Sequence, residues 1–210
     1  MVTKRGRQTI VLAAVLLSFL LSSSVFFILT ASAQEYSFKV DEEAITITIL
    51  EDGSIDIEYW ITFINYEKMD GVDIGLPNDH YNLNSAEARV YVDNVAYSPY
   101  RIRKSPYIDI GVAIELDSNI RNLIEYKSGG KEFTIYLKIN NPHMVYEDEK
   151  NPGNAGIRFR PTWFDPSFQQ GSTRVISIMV ILPPRLNNTD SVRYLEGHPY
   201  DSLEYNQTLL

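Results

Sequence analysis

Cysteine is absent from this 210-residue chain. That removes disulfide staples, thiol nucleophiles and thiolate-ligated metal centres together. Histidine is scarce. His80, His143 and His198 fall on three separate expected loops, without the one-turn spacing of a metalloprotease helix, and they read as scattered surface residues. No Gly-x-Ser-x-Gly occurs, and Gly171-Ser172 sits in an expected turn, so a serine-hydrolase elbow is missing. Positive charge is short as well, with 19 Lys and Arg against 27 Asp and Glu. Three of the basic residues and none of the acidic ones lie in the first 33 positions, which leaves 16 against 27 beyond them, a net charge of −11. Such a surface repels phosphate backbones and argues against nucleic acid as a partner.

Long apolar runs are confined to one place. Lys4, Arg5 and Arg7 precede an uncharged stretch from Ile10 to Leu29, followed by Ala31-Ser32-Ala33. A basic end, an apolar stretch and a small-x-small site are the layout of a secretory signal. Twenty helical residues also reach about 30 Å, enough to span a hydrocarbon core. Ser18, Ser22, Ser23 and Ser24 weaken the stretch as a permanent anchor, and the reading favours cleavage over retention. Residues 1–33 are therefore a signal peptide or signal anchor. The rest is exported, either secreted or held at the membrane by residues 10–29 with its C-terminal part outside.

Beyond Gln34 the pattern is that of strands. "AITITIL" alternates Ile45, Ile47 and Ile49 with threonine, and "SIDIEYWITFI" aligns Ile55, Ile57, Tyr59, Ile61 and Phe63 on one face. Asp52-Gly53 between them signals a hairpin turn, and Asp93-Asn94 signals a second tight turn. "YIDIGVAIEL", "EFTIYLKI" and "RVISIMVIL" continue the alternation, the last through Ile176, Ile178, Val180 and Leu182. A helical turn is hinted only around Leu123, and residues 140–154 read as a solvated loop. The expectation is an all-β, antiparallel, immunoglobulin-like sandwich of about eight strands over residues 34–184, preceded by a hydrophobic signal or anchor helix. Residues 185–210 are expected to be a polar tail in which "LEYNQTLL" opens a further strand. Asn187 and Asn206 are glycosylation sequons.

Candidate sites are few. "RFRPTWFDPSF", Arg158 to Phe168, concentrates aromatic rings and prolines. If Trp163 and Phe164 are extended they point to opposite faces, so one ring plugs the core while the other lies on the surface. Plugging is favoured over a flat sugar-binding platform. Acidic side chains Asp70, Asp73, Asp79, Asp117 and Glu147 to Glu149 leave calcium as the one cation worth considering, but they lack ordered ligand spacing. Glu58, Asp109 and Glu115 lie on expected strands, where acids alternating with aliphatics are the wet face of a sheet rather than a glycosidase pair. No cofactor or catalytic residue is expected.

"ITITILEDGSIDIEYWITFIN", "VDIGLPNDHYNLNSAEARV", "SPYIDIGVAIEL" and "GIRFRPTWFDPSFQQGSTRVISIMVILPP" together resemble a family of uncharacterised exported, membrane-anchored proteins of prokaryotes. The resemblance spans Glu35 to Pro184 and is most specific at residues 75–79 and 161–164. It implies an extracytoplasmic β-sandwich and brings no catalytic residues. The function expected is a non-enzymatic binding or structural module at the cell surface, with an unknown protein or glycan as partner. Recognition would fall on the loops 75–84 and 158–168, through Trp163, Phe164, Arg160, Asp79 and His80. The alternative is a carbohydrate-binding or carbohydrate-active protein using Arg158 to Phe168.

Overall fold

The structure, a computed structural model, describes residues 36–125 and 129–183. The signal or anchor segment, the polar tail, the sequons and His198 lie outside the described residues.

Eleven strands and one short helix are found among the described residues. The elements are β1 (Phe38–Ile49), β2 (Ile55–Asn65), β3 (Gly71–Gly75), β4 (Asn82–Val92), β5 (Val95–Tyr97), β6 (Arg101–Lys104), β7 (Gly111–Glu115), α1 (Ser118–Leu123), β8 (Lys131–Asn141), β9 (Val145–Glu147), β10 (Ala155–Ile157) and β11 (Val175–Ile181). They form a six-stranded sheet ordered β11-β1-β2-β8-β4-β5, a three-stranded sheet β3-β7-β6 and a small β9-β10 ladder. The described residues are mostly β, and the strand pairings among them are antiparallel except β1 with β11.

The expected hairpins form, each with its own turn chemistry. Between β1 and β2 only Gly53 takes a positive φ, 82°. Asp52 instead folds its carboxylate back onto Ser54, accepting from the backbone N at 2.9 Å and from Oγ at 2.7 Å. Between β4 and β5 both turn residues are left-handed, Asp93 at 50° and Asn94 at 64°, the twist-matched two-residue turn. Helix α1 covers the helical hint, with Asp117 accepting from Ile120 N at 2.8 Å as its N-cap.

Period-two alternation places the core. Ile55, Ile57, Tyr59, Ile61 and Phe63 are buried on β2, facing Phe133, Ile135, Leu137 and Ile139 on β8, and Phe63 stacks on Phe133 with centroids 5.2 Å apart. Val72 and Ile74 on β3, Val112 and Ile114 on β7 and Ile120 on α1 join the same buried cluster. Buried Asn65 ties the end of β2 to this helical cover, donating to Ile124 O at 2.8 Å.

Four expectations need correction. The described residues hold eleven strands, because the expected strand after Asp93-Asn94 divides into β5 and β6 and the short β9 and β10 escape a reading that seeks long alternation. "YIDIGVAIEL" is a strand only from Gly111, since Ser105 Oγ accepts from Tyr107 N and Ile108 N and closes a turn there. The loop 140–154 includes β9, which pairs with β10. Finally, β11 runs parallel to β1 at the sheet edge, and its aliphatic residues are exposed on both faces, from 38% at Val175 to 55% at Met179. Ile176, Ile178 and Val180 do line up with Glu43, Ile45 and Ile47, but the second layer does not reach far enough to bury them.

Register-matched Ile45 and Ile178 separate the covered interior from the uncovered edge. Ile45→Ala is expected to cost about 2–5 kcal/mol in denaturant unfolding, and Ile178→Ala no more than about 1.5 kcal/mol. Equal costs would contradict that layer boundary.

Candidate recognition surface

One extra residue in β1 organises this end of the molecule. The β1–β2 register slips between Val40 and Glu42, leaving Asp41 without a partner position. A bulge of this kind re-aims the side chains around it. Val40 points inward, Asp41 and Glu42 face out, and Glu43 turns inward, fully buried opposite Ile61.

Glu43 meets the aromatic segment there. Its Oε1 accepts from Thr162 N at 3.0 Å, and Thr162 Oγ1 accepts from Gly75 N at 3.0 Å. Thr162, itself buried, therefore links β1 of the large sheet to the edge strand β3 of the small one. On either side the rings divide as alternation requires. Phe164 sets its edge against Phe38 and Phe63, with centroids 5.6 and 5.4 Å away, and Phe159 lies 6.4 Å from Tyr59. Trp163 turns out and is 67% exposed.

Downstream, Asp165 O accepts from Phe168 N and Gln169 N at 2.9 Å, closing a turn that returns the chain to β1. Phe38 N then donates to Phe168 O at 3.1 Å, and Gln170 N to Phe38 O at 2.7 Å. Phe168, 42% exposed, rests edge-on against Tyr36. At the start of β11, Arg174 grips Asp41 through two contacts of 2.8 Å and holds that carboxyl down at about 2, chiefly by hydrogen bonding. Arg158 to Phe168 is thus a corner whose inner rings pack on the core and whose Trp163 is presented to solvent.

A second set of loops joins this corner. Asn78 Nδ2 donates to His143 O at 3.0 Å and to Tyr146 Oη at 3.2 Å, while Asn78 Oδ1 accepts from Asn141 Nδ2 at 2.7 Å. The Arg158 guanidinium lies 5.7 Å from the centre of the Tyr146 ring, a cation–π contact. Loops 76–80 and 142–147 and the start of the aromatic segment are therefore in contact. Asn78, Asn141, Tyr146 and Arg158 do the joining. A sequence reading passes them over because an amide linking two loops leaves no periodic or spacing signal.

Asp79 and His80 are exposed on this surface, with Asp79 Oδ1 3.8 Å from His80 Nε2, and Arg160 is exposed on the corner. Phe164 is mostly given to packing. The scattered histidines need correction, since His80 and His143 pack edge to face with centroids 5.1 Å apart. Facing loops bring together what linear spacing keeps apart. Three of the acids considered for calcium have separate tasks, Asp70 accepting from Tyr36 Oη, Asp117 capping α1 and Asp148 capping its own loop, while Asp73 keeps one buried oxygen without a partner. Among the described residues no group of three His, Asp or Glu side chains is placed to hold a metal ion.

Electrostatically the unusual group is Glu43. Burial pushes its carboxyl up to about 7, partly offset by the Thr162 N–H, and its Oε2 has no partner. Tyr59 Oη is likewise buried and without a partner, and burial pushes its pKa up, which keeps the hydroxyl neutral.

No family model matches the chain, and no curated relative matches it. Among solved structures it is similar to an M1 zinc metallopeptidase from Deinococcus radiodurans, in a mutant form bound to a Tyr-Ser-Ala substrate. That match has 12% identity and a TM-score of 0.36, covering 57% of this chain and 23% of that one. Another structure of the M1 zinc metallopeptidase from the same organism gives 12% identity and a TM-score of 0.35, with 56% of this chain and 23% of that one covered. The chain thus spans about a quarter of the length of the proteins it resembles, at a likeness too slight to carry function.

The sign of the Glu43 effect follows from its raised value. A folded state that holds the proton more tightly than the unfolded chain loses stability as pH rises from 4.5 to about 7, and the loss is complete above that. Glu43→Gln should flatten this decline, so that the variant gains on the parent by about 3 kcal/mol at most between pH 4.5 and about 8. Denaturant melts at the two pH values measure it, and a parallel pH dependence in both proteins would contradict the assignment.

Proposed function

We propose that this chain is an exported, immunoglobulin-like β-sandwich module with a non-enzymatic binding or structural role at the cell surface. Residues 34–184 form the module, which is secreted if the signal is cut and tethered by residues 10–29 if it is kept. The basic start, apolar stretch and small-x-small site support that address, as does the resemblance to exported, anchored prokaryotic proteins.

One observation carries the binding role. Trp163 stands in solvent on backbone fixed from beneath by Thr162 and flanked by the packed Phe164. A large aromatic costs little ordering entropy to use when its backbone is already held, and tryptophan is over-represented among residues that dominate interface energies. Arg160, Asp79 and His80 are exposed polar residues of the same pair of loops. A protein partner of the outer surface is favoured because Trp163, 67% exposed, offers a large aromatic anchor on fixed backbone. The carbohydrate reading of the same segment rests on the exposure of both Trp163 and Phe168.

The test compares neighbouring rings. Trp163→Ala is expected to leave the melting temperature within about 2 °C while weakening retention of the labelled full chain on envelope fractions of its host by roughly tenfold or more. Phe164→Ala should instead lower the melting temperature by about 5–10 °C. If Trp163→Ala destabilised as much as Phe164→Ala, or left retention unchanged, the recognition role of Trp163 would be lost.

A further inference from the structure

The solvent face of the six-stranded sheet carries aromatic residues that the recognition surface does not use. Trp60 on β2 lies directly opposite Tyr136 on β8, with centroids 4.7 Å apart, and 5.3 Å from Tyr91 on β4. Cross-strand packing accounts for the contacts between these rings, but it does not account for what lies on the other side of Trp60. The residue opposite it on β1 is Ala44, and opposite Ala44 on β11 is Ser177. Two small side chains in succession leave a step beside the indole, which is 40% exposed. Around that step a shallow depression is lined by Thr62, Thr134, Asn94 and Glu42, with Trp60 and Tyr91 as its aromatic side.

We propose that this depression binds a neutral oligosaccharide, one pyranose ring stacking on the exposed part of Trp60 above Ala44. The exposed indole amounts to roughly 100 Å², about the footprint of one sugar ring. A pyranose has an apolar C–H face and an edge of hydroxyls that both donate and accept. The depression offers the matching set: an aromatic face, a methyl floor, two threonine hydroxyls, an amide and one carboxylate acceptor. Thr62 and Thr134 already hydrogen-bond to each other at 2.9 Å, which fixes where their remaining lone pairs point. Glu42 on the rim disfavours anionic glycans and nucleic acid, while Asp56 and Glu58 further along the same face of β2 are paired with Lys138. β2 and β8 are paired on both edges, so an extended peptide cannot add to the sheet at Trp60. This site lies on a different face from Trp163, and either assignment stands or falls without the other.

The chain has two tryptophans, so Trp163→Phe leaves Trp60 as the single tryptophan, reported selectively by excitation beyond the tyrosine band. Full-length Trp163→Phe protein is titrated with hexaoses of β-1,4-glucose, β-1,4-N-acetylglucosamine and β-1,4-mannose, and with tetramethylammonium as a cation control. The expected result is a saturable change in Trp60 emission with at least one hexaose, with Kd in the range of about 10 μM to 5 mM. Ala44→Leu, which fills the floor beside the indole, should weaken that binding at least tenfold. Ala44→Ser, which nearly preserves the floor, should retain it and guards against a folding defect in the leucine variant. The proposal is overturned if no hexaose perturbs Trp60 at about 10 mM, if Ala44→Leu binds as the parent does while Ala44→Ser folds normally, or if tetramethylammonium alone gives the saturable change.

Discussion

A single inserted residue in the first strand fixes the path of the last third of the described chain. The bulge at Asp41 sends two neighbouring acids to opposite sides of the sheet. Inward, Glu43 takes the backbone of Thr162; outward, Asp41 takes the guanidinium of Arg174. Between those two attachments the chain turns at Asp165 and bridges to Phe38. Without the bulge, the period of two would place Glu43 in solvent and leave the buried Thr162 N–H without its acceptor, an expensive loss in a dry site. The bulge is thus a device that ties a long excursion back to the strand it must lie beside, rather than an irregularity in an otherwise regular ladder.

The need for that excursion comes from unequal layers. Six strands present one apolar face, and among the described residues only three strands and a short helix cover it. Phe159 and Phe164 supply the missing cover over β1 and β2, and this is why the aromatic stretch is a corner first. Its outward residue is then free of structural duty, since alternation allows Phe164 inward only with Trp163 outward. Beyond β1 the cover ends, and β11 keeps its aliphatic residues half in water. Large exposed apolar areas on a sheet edge favour association. The Arg174–Asp41 pair at the start of β11 holds that edge against its own sheet with a bidentate, charge-assisted contact.

How much of this could be read from the chain depends on the range of the interaction concerned. β2 was legible because its five inward residues, Ile55 to Phe63, alternate without interruption and all are buried. The Asp93-Asn94 turn was legible because both residues tolerate a left-handed backbone. The division of Trp163 and Phe164 was legible because adjacent side chains of an extended segment point to opposite faces. Contacts between distant segments were not. Nothing near Glu43 indicates that its carboxylate waits for Thr162, 119 positions later. The meeting of His80 with His143, the amide links through Asn78, and the parallel seating of β11 arise only when loops and edges are brought together. For β11 the alternation of Ile176, Ile178 and Val180 gave the right face and the wrong burial. Periodicity reports which way a side chain points, and it is silent on whether anything covers it.

A buried carboxyl held at about 7 is a costly way to anchor one backbone N–H, and a neutral amide side chain of the same length could accept the same bond without the titration. The cost has a structural consequence. Ionised, Glu43 is a stronger acceptor for Thr162 N but must sit dry beside an unpartnered Tyr59 hydroxyl. Neutral, it is better matched to its apolar surroundings and holds Thr162 less tightly. The two protonation states therefore trade burial energy against grip on the segment that carries Trp163. Because Thr162 also receives the Gly75 N–H, any loosening there reaches the edge strand β3 that leads into the Asp79–His80 loop. The two loops of the candidate recognition surface thus share one buried anchor, the link from Glu43 through Thr162 to Gly75.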